Sequence, residues 1–244
     1  MAGNLRTVTT KTIVAICLGM LVCVQLIPAF AQQNVTSMYE DAKRLSRTGQ
    51  VDKAIERYTE ILALLTPTEH NAYTVRLARA QAYMKKGDLT QAKADIADVM
   101  SSPEADSETI ATALRLKGQL FLKNDKKRAA LKSFTQAIKT PHENEKLRSA
   151  CFTDRGITFI NLEDTDRAVS DLNKAIQLDP ESGLAYAARG MAYLRSDRIE
   201  AAKQDGEKAL RLSNSEQATK LAREILKELS ASASGPAGVS VPLD

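Results

Sequence analysis

Residues 152–180 read FTDRGITFINLEDTDRAVSDLNKAIQLDP, and residues 186–212 read YAARGMAYLRSDRIEAAKQDGEKALRL. Each stretch holds a small residue (Gly156, Gly190), a large ring three positions later (Phe159, Tyr193), a polar turn, and a second small residue (Ala168, Ala202). Working outward, the first small position recurs as Ala42, Ala80, Gly118, Gly156 and Gly190, spaced 38, 38, 38 and 34 residues apart. The large position recurs in the same register as Leu45, Tyr83, Phe121, Phe159 and Tyr193. The second small position recurs as Ala54, Ala92, Ala130, Ala168 and Ala202. Three columns in register over five copies define a repeat. The apolar residues within each copy follow helical spacing, so the unit is a pair of helices. Small residues stand where two helix backbones cross closely. Pairs of ~14-residue helices cannot bury their apolar faces alone, so successive pairs stack.

These columns resemble the tetratricopeptide repeat, a helix–turn–helix unit of 34 residues. The fourth and fifth copies carry the resemblance best, with Gly156, Phe159, Ala168, Ala175 and Pro180, and with Gly190, Tyr193, Ala202 and Ala209. The first copy departs most, with Ile61 at the second-helix Ala position. The expected fold is all-α: a right-handed α-solenoid of about five repeats near residues 35–68, 73–106, 111–144, 149–182 and 183–216. A capping helix at 217–230 and a tail at 231–244 complete it. The four additional residues in each of the first three intervals are expected to lengthen the junctions at Glu69–Ala72, Ser107–Ile110 and Glu145–Arg148.

In that family the first helices line a concave groove, which implies groove columns here. The first is Tyr39, Leu77, Arg115, Thr153 and Ala187, and the next is Lys43, Gln81, Gln119, Ile157 and Met191. One turn on come Ser46, Met84, Leu122, Ile160 and Leu194, beside the basic column Arg47, Lys85, Lys123 and Arg195. Chaperone-binding members hold a terminal carboxylate with Lys and Asn at such columns, and the first three copies lack that combination. The groove instead turns from polar to apolar along the chain. Ile157, Ile160, Met191 and Leu194 form an expected apolar patch for an amphipathic helix or extended peptide. Leu122, Met84, Lys85, Lys123 and Arg195 extend the candidate surface. The competing reading packs some of the apolar groups inside and spends the cations on helix C-termini.

Composition agrees with a helical chain. Of 244 residues, 43% are hydrophobic and 26% charged, aromatics are scarce at 5% and Trp is absent, which disfavours a β-sandwich or barrel. A net charge of +4, spread evenly, does not suit a nucleic-acid binder. At the start, Arg6 and Lys11 precede the apolar run 13–28, followed by Ala29-Phe30-Ala31. This is the layout of a signal peptide at 1–31, cleaved after Ala31, with no membrane span left afterwards. The alternative is an uncleaved N-terminal anchor. Cleavage would remove Cys17 and Cys23 and leave Cys151 as the single thiol, which favours a bacterial periplasm over a disulfide-rich secreted setting.

Motifs for catalysis are missing: the two histidines, His70 and His142, stand apart, and no nucleophile elbow or phosphate loop occurs. His142 reads as a solvated loop residue and Cys151 as a buried small hydrophobe. No metal site and no cofactor is expected. One charge pattern is regular. Arg79, Arg155 and Arg189 precede Asp95, Asp171 and Asp205 by sixteen positions, and Asp41 and Arg57 reverse the signs. These read as exposed ion pairs between the two helices of a repeat. The sequence therefore points to a non-catalytic protein- or peptide-binding scaffold of the bacterial cell envelope. The alternative is a self-associating structural protein whose groove holds a second copy or its own tail.

Overall fold

The computed structural model describes residues 34–66, 69–212 and 215–233, all helices and short connections. The leader at 1–31 and nearly all of the tail lie outside the described residues. Helix α1 covers 34–47, followed by α2 (Val51–Leu64), α3 (His70–Lys86), α4 (Leu89–Ser101), α5 (Ser107–Lys123) and α6 (Lys127–Lys139). Then come α7 (Glu145–Ile160), α8 (Thr165–Leu178), α9 (Gly183–Arg195), α10 (Ile199–Leu212) and α11 (Glu216–Ala233). Two compact units result, one ending at Asp88 and one beginning at Leu89. In the first, α2 packs against α3 around Ala42, Ala54, Tyr58 and Ile61. In the second, each helix packs on its sequence neighbour, and α5, α7 and α9 also touch in succession. Helix α11 closes this unit against α9 and α10, burying Ala218, Ala222 and Ile225.

The turn within each pair repeats one backbone solution. Gly49, Gly87, Asp125, Glu163 and Asp197 all take positive φ, between 53° and 90°. The following N–H reaches back to the carbonyl of Leu45, Tyr83, Phe121, Phe159 or Tyr193 at 2.8–3.0 Å. This is the six-to-one hydrogen bond of a Schellman cap, which satisfies an orphan carbonyl at the helix end. Gly adopts this conformation freely, whereas the later copies rely on Asp and Glu.

The four additional residues per interval do not lengthen the connections, as the spacing alone suggested. They add a turn to the first helix: α3 and α5 have 17 residues and α7 has 16, against 13 in α9. Caps set these early starts. The Asp106 carboxylate accepts from Thr109 N–H at 2.7 Å, and the Asn144 side chain accepts from Leu147 N–H at 2.9 Å.

The expected pairs Arg155–Asp171, Arg189–Asp205 and Asp41–Arg57 are closed. Arg155 grips Asp171 through two hydrogen bonds (2.7 and 2.8 Å), and Arg189 grips Asp205 in the same way. Asp41 and Arg57 approach to 3.5 Å. The Arg155 and Arg189 pairs are not exposed: Asp171 and Asp205 keep only 4% and 6% of their surface. Each Arg also donates to the second helix of the previous repeat, Arg155 to Thr135 Oγ1 (2.9 Å) and Arg189 to Asn173 Oδ1 (2.7 Å). Arg79 donates likewise to Thr59 Oγ1 (3.0 Å). One guanidinium thus ties two second helices together, which a point-like ammonium could not do as well.

Candidate functional site

In the second unit, α5, α7 and α9 lie side by side and present Leu122, Ile157, Met191 and Leu194 half-buried. Ile157 and Met191 rest on the cluster of Phe159, Ile160, Ala188 and Ala192. An apolar strip at the surface therefore continues from a rigid core. Two residues expected in the groove belong to the interior instead. Ile160 is 4% exposed because it joins that cluster, beneath Met191, and Met84 is 7% exposed. The first column is likewise largely interior, with Leu77, Thr153 and Ala187 buried. Two surface positions escaped the column reading: Ala150 and Leu184 are half-buried one turn before Thr153 and Ala187, at the same helical spacing.

The basic column divides. Arg195 donates to the Ile160 carbonyl at 2.6 Å, and Lys85 donates to the Ser46 carbonyl at 3.2 Å. Each cation caps the C-terminal end of the preceding first helix, where carbonyls are unpaired and the dipole is negative. Lys123 is exposed on the same column. On the same row of helices, Asp154 accepts from Arg115 Nε (2.7 Å) and Gln119 Nε2 (2.9 Å), so α5 and α7 are joined by a charge-assisted network. Nothing in the repeat pattern marked Asp154. Its partners lie 39 and 35 residues away, in the preceding copy.

The first unit carries a cavity of about 210 Å³ lined by Val35, Thr36, Tyr39, Asn71, Thr74 and Val75. Its lining mixes hydroxyls and an amide with an apolar floor. Burial pushes the Tyr39 phenol above its ordinary pKa, and the ring meets Tyr58 at 6.0 Å between centroids.

Among the described residues, no group of His, Cys, Asp and Glu gathers at metal-binding distance, and no helix is long and apolar enough to cross a membrane. Cys151 is fully buried beside Leu114 and Ala137, and burial pushes its thiol up to about 12. It behaves as a core hydrophobe. His142 differs from the solvated residue expected. Both ring nitrogens are shut off from solvent without a hydrogen-bond partner, and Arg148 donates to its carbonyl. Burial, then the Arg148 charge, hold its pKa below the ordinary value.

The family model for the tetratricopeptide repeat matches residues 153–229. The chain is 30% identical over 142 residues to the tetratricopeptide repeat protein 36 homolog of Drosophila pseudoobscura pseudoobscura, covering 56% of this chain and 70% of that protein. It is 33% identical over 165 residues to RNA polymerase II-associated protein 3 of Xenopus laevis, covering 62% of this chain and 24% of that one. The chain spans less than a quarter of the length of the larger curated relatives it matches. Among solved structures, the APC/C hetero-tetramer Cut9–Hcn1 superposes with a TM-score of 0.60 at 22% identity, covering 76% of this chain and 35% of that one. That likeness shares the helical-repeat fold.

Proposed function

Because the chain belongs to the tetratricopeptide repeat family, we propose that it is a non-catalytic scaffold that binds a protein or peptide segment across α5, α7 and α9. One observation carries this reading: Leu122, Ile157, Met191 and Leu194 stay half-buried on three first helices that touch in succession. Water-facing apolar groups anchored on a rigid core cost little ordering when a partner covers them. The Asp154–Arg115–Gln119 network and the Arg195 cap hold the helices in register, so the strip is preorganised. Lys123 contributes a rim charge that steers acidic partners. We place the scaffold in the bacterial cell envelope, on the strength of the charged, apolar and small-residue succession in residues 1–31 and the single remaining thiol.

The test compares the wild-type chain with a variant carrying Met191→Ser and Leu194→Ser, both purified from the exported fraction. Intact mass reports there whether the first 31 residues have been removed. Binding is read with a labelled amphipathic helical peptide. Loss of two central apolar anchors should weaken binding by at least ~30-fold, about 2 kcal/mol for a hot spot, with the circular dichroism spectrum unchanged. A folded double variant that binds the peptide as the wild type does would refute this surface, and an unfolded one would show the two side chains to be core.

A further inference from the structure

Helix α6, Lys127–Lys139, has the sequence KRAALKSFTQAIK and contains no acidic residue. Its inner face buries Ala130, Phe134 and Ala137. Outward it exposes Arg128, Lys132, Gln136 and Lys139, with Lys126 at the helix start. Steps of four, four and three residues put these on one stripe, about 16 Å long at ~1.5 Å per residue. Lys127 has Asp125 at 3.7 Å. Lys126, Arg128, Lys132 and Lys139 have no ion-pair partner among the described residues.

The arrangement works against the helix. Three cations crowd its N-terminal end, where the macrodipole is positive, and the N-cap residue Lys126 provides no side-chain cap. Helices α5, α7, α8 and α9 instead start on Asp106, Asn144, Asp164 and Ser182, each with a side-chain cap. Arg128 and Lys132 repel at i,i+4 spacing. The other second helices of the unit balance their charges: α4 exposes Lys93 and Asp98, α8 Asp166 and Lys174, α10 Glu200 and Lys203. Repeat three alone has Ser133 where α4, α8 and α10 have Asp95, Asp171 and Asp205, so its second helix has lost even the inward acid.

We propose that the outward face of α6 is a docking strip for an acidic polypeptide segment. Charge complementarity identifies the occupant, and the strip's width narrows it. The second helices before and after α6 in the chain expose carboxylates, which a broad anionic surface such as a lipid leaflet or a nucleic-acid duplex would meet. A single helix with a carboxylate every third or fourth residue, or an extended chain with one at every second residue, matches one stripe and avoids those flanks. The strip is built on a second helix, so it stands apart from the apolar face of α5, α7 and α9.

The probe is a fluorescein-labelled peptide of about 16 residues with Glu at every fourth position and Ala and Gln elsewhere, long enough to follow three to four helical turns. It is titrated with the full chain in about 50 mM and about 300 mM salt, between which the screening length shortens about 2.5-fold. Arg128→Gln, Lys132→Gln and Lys139→Gln together should weaken binding about tenfold or more at low salt and flatten its salt dependence. A control variant, Lys174→Gln with Lys203→Gln and Lys208→Gln, removes the same charge from α8 and α10 and should keep wild-type affinity. Met191→Ser with Leu194→Ser should also bind the acidic probe normally, which separates this strip from the apolar face. Equal weakening by the two triple variants would overturn the strip, because net charge alone would then explain binding. So would tighter binding to phosphatidylserine vesicles or to a single-stranded oligonucleotide than to the peptide. The triple variants replace surface cations by Gln, a good helix former, and an unchanged circular dichroism spectrum confirms for every variant that it retains its fold.

Discussion

Gly118 and Gly190 occupy one column of the repeat, yet the structure separates their tolerance to a methyl group. An added Cβ at Gly118 would lie 2.4 Å from Cε1 of Phe134 and 2.7 Å from two further ring carbons. Carbon atoms prefer about 3.5–4.0 Å, so the ring would have to retreat by roughly 1 Å. Phe134 is fully buried on α6, and there is no solvent side for it to swing toward. At Gly190 the nearest neighbours are Ala202 O, Asp205 Cβ and Ile225 Cδ1, all at 3.2 Å. A shift of a few tenths of an ångström accommodates them. In both helices the substitution also gains about 0.8–1.0 kcal/mol of helix propensity. Against this, overpacking a core costs about 1–3 kcal/mol. Gly118→Ala should therefore fall below the parent by up to about 2 kcal/mol, while Gly190→Ala stays within about 0.5 kcal/mol of it.

Urea unfolding followed by circular dichroism measures the difference, and a thermal melt should show it as about 2–4 °C per kcal/mol for a chain of this size. Shrinking the ring supplies the internal check. In the background of Gly118→Ala, Phe134→Leu should recover stability, giving a coupling of at least about 1 kcal/mol in the double-mutant cycle. Gly118→Ala as stable as Gly190→Ala, or strictly additive effects with Phe134→Leu, would refute the close approach of α5 and α6.

Two further outcomes follow from local features. His142 is held neutral by burial and the Arg148 charge, so the unfolded chain takes up its proton first as pH falls. The stability this neutral ring contributes is present above about 6.5 and is lost progressively below it, so His142→Gln should flatten the urea midpoint between about pH 7 and pH 5. Glu163 takes φ 62° in the turn before α8, where Gly49 and Gly87 stand in the earlier copies. Glu163→Gly should raise the unfolding free energy in urea by about 0.5–1 kcal/mol, and a loss of stability would show that strain there is already relieved.

The fold was legible because its determinants are local. Small residues at 38- and 34-residue intervals mark the helix crossings, and residues 49, 87, 125, 163 and 197 mark the turns. The additional helical turns of α3, α5 and α7 were not legible as helix, since only the placement of caps such as Asp106 and Asn144 distinguishes them from longer loops. The candidate surface was legible as a face but not in depth. Ile160 and Leu194 share a column, yet Ile160 lies in the cluster beneath Met191 and is buried, whereas Leu194 is half-buried. Periodicity gives the direction of a side chain. What covers it depends on the next repeat.

The third repeat shows how one departure from a pattern shapes both packing and surface. With Lys117 and Ser133 it lacks the Arg–Asp grip that Arg155 and Arg189 supply in the later copies. That grip is costly to break, since removing one partner leaves a carboxylate such as Asp171 nearly sealed and unpaired, a loss of about 3–5 kcal/mol. Repeat three holds its helices by other means. Phe134 fills the space over Gly118, and Arg115 with Gln119 reaches forward to Asp154 on α7. Apolar packing in place of a buried ion pair is neutral or favourable for stability. The exchange therefore leaves α6 firmly seated, with Ser133 at the position where α4, α8 and α10 carry an inward acid. A helix so seated tolerates unbalanced cations on its outer face, at a cost of a few tenths of a kcal/mol for each repulsive pair. The firmness of the core at Gly118 and Phe134 and the bare charge of Arg128, Lys132 and Lys139 are thus two sides of one substitution pattern. Substitutions on the outer stripe should accordingly leave stability within about 0.5 kcal/mol while changing what the helix binds.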